Sequence, residues 1–436
     1  MNKTARPFYW IMTLLFLLGL WIELRMQTFA MNDYGVFNSP LVWLAGGLLS
    51  CIAAFALLWM KGQSSASPLA SSDNKLFHQL LTWGLFGLAA STCASLLAPI
   101  FAEYPSDPQL SDILPSLELY VRRWLGGELV YKPMEFPGWT VNPTYFPLLW
   151  MPYAFSEILQ IDYRWTAYGV FLLALFFYNR RLLQMGLPIW ELLIKTLLPF
   201  AMLYAFISYQ PKVFGFAVEL LPVGFYLILT LTTWHRSNWV MAIGILVCLL
   251  SRYAFTFWLP VYLLVLWIDR GFRTAFSTGL WVLLGVILLY VLPFLSRDVT
   301  ILTKGLQYYG KTAEGQWYPQ SWQQPNDIPH HLNQGLSFAM YFYSNKNYTV
   351  PDRLKSNRKF HLTACGFAAL LILLGYFVIR RRGLDIRLYL LIGLKFYLLI
   401  FYGFFYVPFS YLYMLPLFIS IALFNHIPIR PPKSVS

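Results

Sequence analysis

The sequence predicts an all-α protein that crosses a membrane many times. The chain has 436 residues, of which 58% are hydrophobic and only 12% are charged, whereas a soluble domain is typically about 25% charged. Long apolar runs recur from one end of the chain to the other, and lipid can take up far more apolar surface than one soluble core. Basic residues cluster in the short loops between these runs. We therefore expect a single polytopic transmembrane domain over residues 1–436.

Twelve apolar runs define the predicted transmembrane helices. A membrane-spanning helix needs about 20 mostly apolar residues, and roughly 17 to 25 are tolerated. The candidate runs are 8–25, 40–60, 79–101, 162–178, 187–207, 213–233, 238–250, 255–268, 277–296, 361–379, 388–406 and 409–425. The runs 238–250 and 255–268 are short, and we interpret them as two half-helices that meet at a break.

The basic residues predict the orientation of the bundle. One set of loops and both termini carry Lys3, Arg6, Lys61, Lys75, Arg180, Arg181, His235, Arg236, Arg270, Arg273, Arg380, Arg381, Arg382, Arg387, Arg430 and Lys433. These loops alternate with the remaining ones, so they are predicted to share one side of the membrane. By the positive-inside rule that side is cytoplasmic. The net charge of +13 is then a property of membrane topology, and no nucleic-acid partner is expected.

Two long loops are predicted on the outer side, at 102–161 and 297–360. Within the first, apolar residues recur at helical spacing over 111–127, which predicts an amphipathic helix on the membrane surface. Ser111 or Asp112 can cap the start of that helix. The proline-containing segment 143–160 is interpreted as a re-entrant or interfacial piece. Loops of this length usually carry function or are disordered, and their many aromatic residues argue against disorder.

Metal and cofactor chemistry find little support in the sequence. The chain contains no P-loop, no Gly-rich dinucleotide motif and no Ser-x-x-Lys nucleophile, which argues against ATP-driven transport and cofactor chemistry. No cofactor is therefore predicted. The acidic residues Glu103, Asp107 and Asp112 offer only a weak alternative, in which they gather a divalent ion. The adjacent His330 and His331 do not share a helix face and do not form a metal site by themselves.

Ionisable residues within or at the edge of the membrane are functional candidates. Glu103, Lys212 and Arg252 are expected to converge on the outer face, with Arg252 at the break between the two half-helices. Glu219 lies inside the predicted span 213–233. For the charges at Glu23, Glu191, Lys195 and Lys395 we favour structural pairing or snorkelling over function.

Several motifs resemble a known enzyme family. The run SDILPSLELYVRRWLGGELVY followed by NPTYFPLLWMPYAF resembles the first outer loop of GT-C glycosyltransferases, and most closely the polyprenyl-phosphate-mannose-dependent family 87. The matching positions are Asp112, Tyr120, Gly127 with Tyr131, and Tyr145 followed by Phe146 and Pro147. The later runs YQPKVFGFAVELLPVGFYLI, SRYAFTFWLPVYLLVLW and FFYVPFSYLYMLPLFI resemble further spans of that family. The resemblance covers most of residues 100–425.

The resemblance implies a GT-C-like bundle of about 12 transmembrane helices, with surface helices in two large outer loops. It also implies an inverting transfer of a hexose, in particular mannose, from a polyprenyl-phosphate donor to a glycolipid or glycan acceptor. In that chemistry Asp112 would be the general base, and Arg252 and Lys212 would bind the donor phosphate. The predicted substrate-binding residues are Glu103, Gln210, Tyr145, Trp317, Trp322, His330 and His331. The aromatic members among them would stack on sugar rings, although anchoring at the membrane interface explains them equally well.

The predicted location is the bacterial inner (plasma) membrane, with both termini in the cytoplasm and the active site on the outer, periplasmic face. Membrane lipid, the donor and the acceptor are the expected partners. Two alternatives stay open. The first is an O-antigen ligase or polymerase type of enzyme, which uses a pyrophosphate-linked donor. The second is a lipid or solute transporter without chemistry, which paired broken helices in matching halves would favour; only one clear break, at 251–255, is evident.

Overall fold

The computed structural model describes residues 5–28, 33–61, 75–320, 323–324, 327–333, 335–427 and 429, and helices dominate them. The first part of the chain contains α1 (Ala5–Thr28), α2 (Gly35–Lys61), α3 (Lys75–Glu103), α4 (Ile113–Leu125), the antiparallel hairpin β1 (Met134–Phe136) and β2 (Trp139–Val141), α5 (Pro147–Trp150) and α6 (Ala154–Leu159). The middle contains α7 (Tyr163–Gln184), α8 (Ile189–Tyr209), α9 (Pro211–Phe216), α10 (Leu220–Thr232), α11 (Asn238–Leu249), α12 (Trp258–Arg270) and α13 (Phe272–Val286). The last part contains α14 (Ile301–Gly315), α15 (Ala339–Tyr343), α16 (Val350–Arg381), α17 (Ile386–Gly403) and α18 (Met414–His426).

Long apolar helices make this chain an all-α integral membrane protein. Within the described ranges, seven helical stretches are long and apolar enough to cross a membrane: Arg6–Thr28, Gly35–Met60, Leu76–Glu103, Ile189–Tyr209, Phe272–Leu295, Val350–Arg381 and Ile386–Gly403. The fifth continues α13 through a π-helical stretch at Ile287–Leu295. Many large apolar side chains on these helices are exposed, as expected where lipid replaces water.

The predicted count of twelve spans is not confirmed. Each of the twelve predicted runs overlaps a helix, but several helices are shorter than expected. α10 has 13 residues and α11 has 12, so each rises only about 20 Å, while the hydrocarbon core is about 30 Å thick. The predicted run 213–233 is divided into α9 and α10 by a non-helical stretch at 217–219. Helices interrupted in this way can lie in a membrane where protein covers their free backbone groups.

Helix packing places α10, α17 and α18 at the centre of the bundle. Almost every side chain of these three helices is buried. At the N-terminal end, α1 packs closely on α2 where Gly19 faces Gly46. A Cβ at Gly19 would lie only 2.6 Å from the Gly46 carbonyl oxygen. Small residues at such crossings let transmembrane helices approach backbone to backbone.

Buried ion pairs tie the central helices together. Lys395 on α17 lies 2.5 Å from Glu23 on α1, and both side chains are fully buried. Ser50 donates a hydrogen bond to the same Glu23 oxygen, and Lys395 also contacts Ser420. The second pair joins Lys195 and Glu191 within α8 and binds backbone atoms near the C-terminal end of α18. All four charges that we expected to be structural are therefore paired.

Replacing Lys395 by methionine is expected to lower the free energy of unfolding by about 3–5 kcal/mol, because Glu23 keeps its buried charge without a partner. The double variant Glu23→Leu/Lys395→Met should recover most of that loss. Thermal unfolding in detergent, followed by size-exclusion chromatography, measures both effects. Lys304→Ala is the matched control, since its pair with Asp298 is exposed and should matter little. A Lys395→Met protein as stable as the wild type would contradict the structural role.

The first long loop packs against the break between α11 and α12. Within this loop, α4 packs against α5, α6 and the turn between them. The segment 147–159 is a series of short helical turns rather than one helix: α5, a 3₁₀ turn at Met151–Tyr153, and α6. Its Leu148 amide donates to the Leu250 carbonyl at the end of α11 (3.0 Å). The first outer loop is thereby attached to the helix break.

Candidate functional site

Asp112 immediately precedes α4 but does not cap it. Its side chain forms no capping hydrogen bond, while the Ser111 hydroxyl accepts a hydrogen bond from the Ile113 amide (3.4 Å). The helix is held in place by the burial of Leu117 and Tyr120 on its inner face. The Asp112 side chain is exposed, yet partial burial by the surrounding protein raises the pKa of its carboxyl. A capping role therefore does not explain this aspartate.

Tyr145 belongs to an extended segment, and both its backbone amide and its backbone carbonyl form hydrogen bonds with neighbouring side chains. The Tyr145 amide donates to the Tyr120 hydroxyl of α4 (3.2 Å), and the Tyr131 hydroxyl donates to the Tyr145 carbonyl (3.0 Å). The Tyr253 hydroxyl donates to the Thr144 carbonyl (3.0 Å). One segment therefore contacts both the helix that follows Asp112 and the break that contains Arg252.

Arg252 lies in the break between α11 and α12 and forms an ion pair with Glu219. Glu219 occupies a second break, directly before α10. The Arg252 side chain is 18% exposed and that of Glu219 only 2%. Arg252 Nε and Glu219 Oε1 have no hydrogen-bond partner among the described residues. Buried polar atoms are normally satisfied by protein, water or ligand, so this pair keeps capacity for a bound group.

The three segments adjoin one another. We call this region the outer cleft, after its predicted side of the membrane, and define it by Asp112, Tyr145, Arg252, Tyr253 and Tyr411. These side chains are exposed or half-buried, while Glu219, Tyr153, Tyr226 and Tyr402 around them are buried. Burial raises the pKa of the Tyr145 phenol, the charges of Asp112 and Glu219 raise it further, and Arg252 lowers it. Tyr411 lies within electrostatic range of the same Asp112, Arg252 and Glu219. Tyr145 and Tyr411 therefore each lie near both the Asp112 carboxylate and the Arg252 guanidinium.

A cavity of about 160 Å³ lies beside the outer cleft. Its lining includes Trp124, Tyr131, Phe294 and Arg297, but neither Asp112 nor Arg252. Tyr131 is the link between the two spaces, because its hydroxyl binds the Tyr145 carbonyl while its ring contacts Phe294 (5.5 Å between centroids). The lining of the cavity also includes Glu128, Lys132 and Asp298. Both of its cations are exposed, whereas Arg252 of the outer cleft is largely buried, so we prefer the outer cleft as the candidate site.

The structure does not bring Lys212, Gln210 and Glu103 to Arg252. Lys212 is exposed on α9, and no contact joins it to Arg252 among the described residues. Gln210 donates from its side-chain amide to the Thr28 carbonyl at the end of α1. Glu103 is exposed at the end of α3. In the part of the chain that the structure describes, no three His, Cys, Asp or Glu residues could share a metal, so Glu103, Asp107 and Asp112 form no such site.

The second long loop brings fewer of its predicted substrate-binding residues to the outer cleft than expected. Trp322 lies outside the described residues. His330 is exposed and His331 half-buried, and burial together with the neighbouring His330 lowers the pKa of His331. The His331 ring contacts Phe409 (5.9 Å), which stacks on Tyr411 of the outer cleft (5.4 Å). His331 therefore approaches the cleft through Phe409.

Trp317 has a structural place instead of the predicted sugar-stacking one. The side chain is fully buried, and its indole N–H donates to the Tyr406 carbonyl (2.7 Å). It packs in a small second core with Leu332, Met340 and Leu354. A ring enclosed in this way cannot present a face to a sugar.

Trp317→Phe should lower the free energy of unfolding by about 1–3 kcal/mol, because the Tyr406 carbonyl loses its donor. The KM values for the donor and acceptor that the family resemblance implies should not change. Unfolding in detergent measures the first quantity, and steady-state transfer kinetics measure the second. Unchanged stability together with a raised KM would instead restore the sugar-stacking role.

Sequence reasoning missed the pairing of Glu219 with Arg252 and the presence of Tyr411 in the cleft. Glu219 carried a signal, since an ionisable residue inside a predicted span needs a partner. Tyr411 carried none, because aromatic residues abound at both membrane interfaces.

Compared with known proteins, the chain matches no family model, no curated protein and no solved structure. The resemblance to glycosyltransferase family 87 therefore stays a prediction that depends on the motif residues and on the arrangement of the outer cleft.

Proposed function

We propose that this protein is an inverting glycosyltransferase that moves a hexose, in particular mannose, from a polyprenyl-phosphate donor to a glycolipid or glycan acceptor. The observation that carries the proposal is the uncapped Asp112 carboxylate, which shares one cleft with the partly exposed Arg252 guanidinium. Transfer from a lipid phosphate needs one group of each kind, a base for the acceptor and a cation for the leaving phosphate.

Each group has a defined part in the reaction. Asp112 takes the proton from the acceptor hydroxyl as the acceptor oxygen attacks the anomeric carbon. The bond between that carbon and the phosphate oxygen breaks from the opposite face, and the electron pair leaves with the polyprenyl phosphate. Arg252 stabilises the negative charge that develops on this phosphate. The proton moves to Asp112, and the new bond from the acceptor oxygen to the anomeric carbon replaces the bond to the phosphate oxygen. The reaction therefore needs no redox partner.

Glu219 is proposed to position Arg252. A guanidinium presents five N–H donors in a planar fork that matches phosphate oxygens, and the contact with Glu219 uses only one side of the fork. The unpartnered Nε is then available to the phosphate. Because Glu219 is almost fully buried, it also supplies the counter-charge that keeps Arg252 stable in the absence of substrate.

The membrane supplies the setting for such a donor. The polyprenyl chain would lie in lipid along the exposed apolar helices, and its phosphate would lie at the headgroup level near the helix breaks. By the positive-inside rule the basic loops would lie in the cytoplasm, and the outer cleft would then be on the non-cytoplasmic face. A bacterial inner membrane with cytoplasmic termini and a periplasmic cleft is the location that we propose.

The experiment is a transfer assay with the purified full chain in lipid nanodiscs. Radiolabelled polyprenyl-phosphate hexoses, each with a different sugar, are incubated with an extract of native glycolipids, and polyprenyl-pyrophosphate-linked donors are tested in parallel. We expect label in a new glycolipid or glycan from one monophosphate donor, with mannose preferred and the anomeric configuration inverted. Transfer from pyrophosphate donors alone would identify the ligase or polymerase type instead. Movement of labelled lipid across the membrane without product would identify a transporter.

A further inference from the structure

A second arginine, Arg358, lies at the outer end of α16. This helix has 32 residues and is therefore about 48 Å long, which exceeds the hydrocarbon thickness of about 30 Å. Its first turns, which contain Arg358, follow the second outer loop and extend beyond the predicted span 361–379. Arg358 is half-buried.

Arg358 lacks an acidic partner. One of its terminal nitrogens donates to the Gly310 carbonyl (3.1 Å), and the guanidinium lies over the Tyr406 ring at 4.9 Å. Its Nε is buried and unpartnered, and no carboxylate of the described residues lies within 4.0 Å of it. Arg252, by contrast, is neutralised by Glu219. A half-buried guanidinium without a counter-charge can bind an anion through its N–H donors.

A row of aromatic rings connects Arg358 with the outer cleft. Tyr253, next to Arg252, stacks on Tyr309 with 6.4 Å between the ring centroids, and Tyr309 contacts Tyr406 at 5.8 Å. Tyr253 is exposed, and Tyr309 and Tyr406 are half-buried. We call Tyr253, Tyr309 and Tyr406 the aromatic row. Arg252 and Arg358 lie at its two ends.

Two buried polar side chains near Arg358 in the sequence of α16 have atoms without a hydrogen-bond partner in the described part of the chain. His361, one turn further along α16, is 4% exposed and contacts the Tyr406 ring at 6.3 Å. His361 Nε2 has no hydrogen-bond partner among the described residues. Asn357 is fully buried, and both polar atoms of its amide are unpartnered as well. Buried polar atoms are normally satisfied by protein, water or ligand, so these atoms have capacity for a bound polar group.

We propose that Arg358, His361, Tyr309 and Tyr406 form the acceptor subsite, in which Arg358 binds an anionic group of the acceptor, a phosphate or a carboxylate. The aromatic row would carry the apolar face of the acceptor sugar toward Asp112 and Arg252. The acceptor role of this subsite depends on the proposed transfer activity, whereas the binding of an anionic sugar at Arg358 does not. Binding and transfer are therefore tested separately.

The binding experiment uses three amphiphiles that differ in one group: decyl glucoside, decyl glucoside 6-phosphate and decyl glucuronide. Their affinities for the full chain in nanodiscs are measured by intrinsic tryptophan fluorescence. We expect at least one charged amphiphile to bind about ten-fold or more tightly than the neutral one, since hydrogen bonds to charged groups are strong. A preference for the phosphate or for the carboxylate identifies the anionic group. Equal binding of all three would overturn the proposal.

Arg358→Ala should abolish the preference for the charged amphiphile, and Arg358→Lys should retain part of it. Arg353→Ala is the matched control, because Arg353 lies on the same helix, contacts the Tyr343 ring and donates to two carbonyls, but it is not part of the aromatic row. If Arg358→Ala keeps the preference, or if Arg353→Ala loses it equally, the subsite is wrong. Size-exclusion chromatography verifies that each variant folds, and Arg358→Lys decides the test if Arg358→Ala does not.

Two further measurements distinguish an acceptor subsite from a donor subsite. Polyprenyl phosphate should bind Arg358→Ala and the wild type equally, and so should polyprenyl pyrophosphate. A loss of pyrophosphate binding in Arg358→Ala would assign this arginine to the second phosphate of a donor and overturn the acceptor assignment. In the transfer assay, Arg358→Ala should raise the KM for an anionic acceptor about ten-fold and leave the donor KM unchanged. A raised donor KM alone would contradict the inference.

Discussion

Asp112→Asn is expected to reduce sugar transfer by orders of magnitude without unfolding the protein. The asparagine amide cannot accept the proton of the acceptor hydroxyl, and general base catalysis contributes typically about 10²–10⁴-fold to a rate. We therefore expect kcat to fall by about that factor, with the affinity for polyprenyl phosphate unchanged. The fold should persist, because the Asp112 side chain makes no capping hydrogen bond.

Asp107→Asn is the matched control, an acidic residue of the same outer loop whose carboxylate accepts a hydrogen bond from the Gln109 amide (2.9 Å). This variant should retain transfer. Full activity of Asp112→Asn would remove the proposed base, and an equal loss in Asp107→Asn would show that the loop structure, not the carboxylate, was responsible.

The pH profile gives a second measurement of the same role. Burial raises the pKa of Asp112 above the ordinary value of about 3.9, and only the deprotonated form can act as a base. Transfer should therefore decline as the pH falls through this raised pKa, at a higher pH than for an ordinary aspartate. The residual activity of Asp112→Asn should lack this acid limb. For stability the sign is opposite: the contribution of a raised carboxyl pKa is lost as the pH rises through it, so Asp112→Asn should be no less stable than the wild type at neutral pH.

Arg252→Ala is expected to reduce transfer by about 10²–10³-fold, the typical cost of removing one donor that stabilises transition-state charge. It should also weaken the binding of polyprenyl phosphate. Arg252→Lys keeps the charge but loses the fork, so an intermediate activity is expected. Arg122→Ala is the matched control, since its contacts with Glu118 and Glu157 are on the exposed side of α4. An unchanged dependence on donor in Arg252→Ala would contradict the phosphate role.

Removing one partner of the Arg252–Glu219 pair should also cost stability, by about 3–5 kcal/mol, because the other charge stays buried. The double variant Glu219→Leu/Arg252→Met should regain most of that stability but no transfer. Unfolding in detergent and the transfer assay measure the two properties on the same samples. A double variant with restored activity would show that the pair serves only the fold.

Local patterns in the sequence predicted some elements well. The apolar spacing from Leu114 to Val121 predicted the surface helix that became α4, and the polar Ser251 and Arg252 between two apolar runs predicted the break between α11 and α12. Such features depend on a few consecutive residues and on their partition between lipid and water, which composition alone can indicate. The number of spans was harder to predict, since hydropathy does not show that α9 and α10 are separate helices.

The partner of each charge could not be predicted from the sequence. Glu219 and Arg252 are 33 positions apart, and Glu23 and Lys395 are 372 apart, so no spacing rule connects them. The same holds for Trp317, whose aromatic character predicted a sugar contact although packing against Leu354 and the Tyr406 carbonyl buries it. The sequence of an aromatic residue is the same whether its side chain faces a ligand or the core.

The sequence by itself determined that this is an α-helical membrane protein, because the free energy of placing apolar residues in lipid depends on their identity and not on their neighbours. It also determined the residue types available for chemistry at Asp112 and Arg252. Only the tertiary structure decided that these two share a cleft, that Glu219 neutralises one arginine while Arg358 keeps its charge unpaired, and that Lys212 and Trp317 lie elsewhere. These outcomes depend on which helix ends pack together, and packing is a property of the whole bundle.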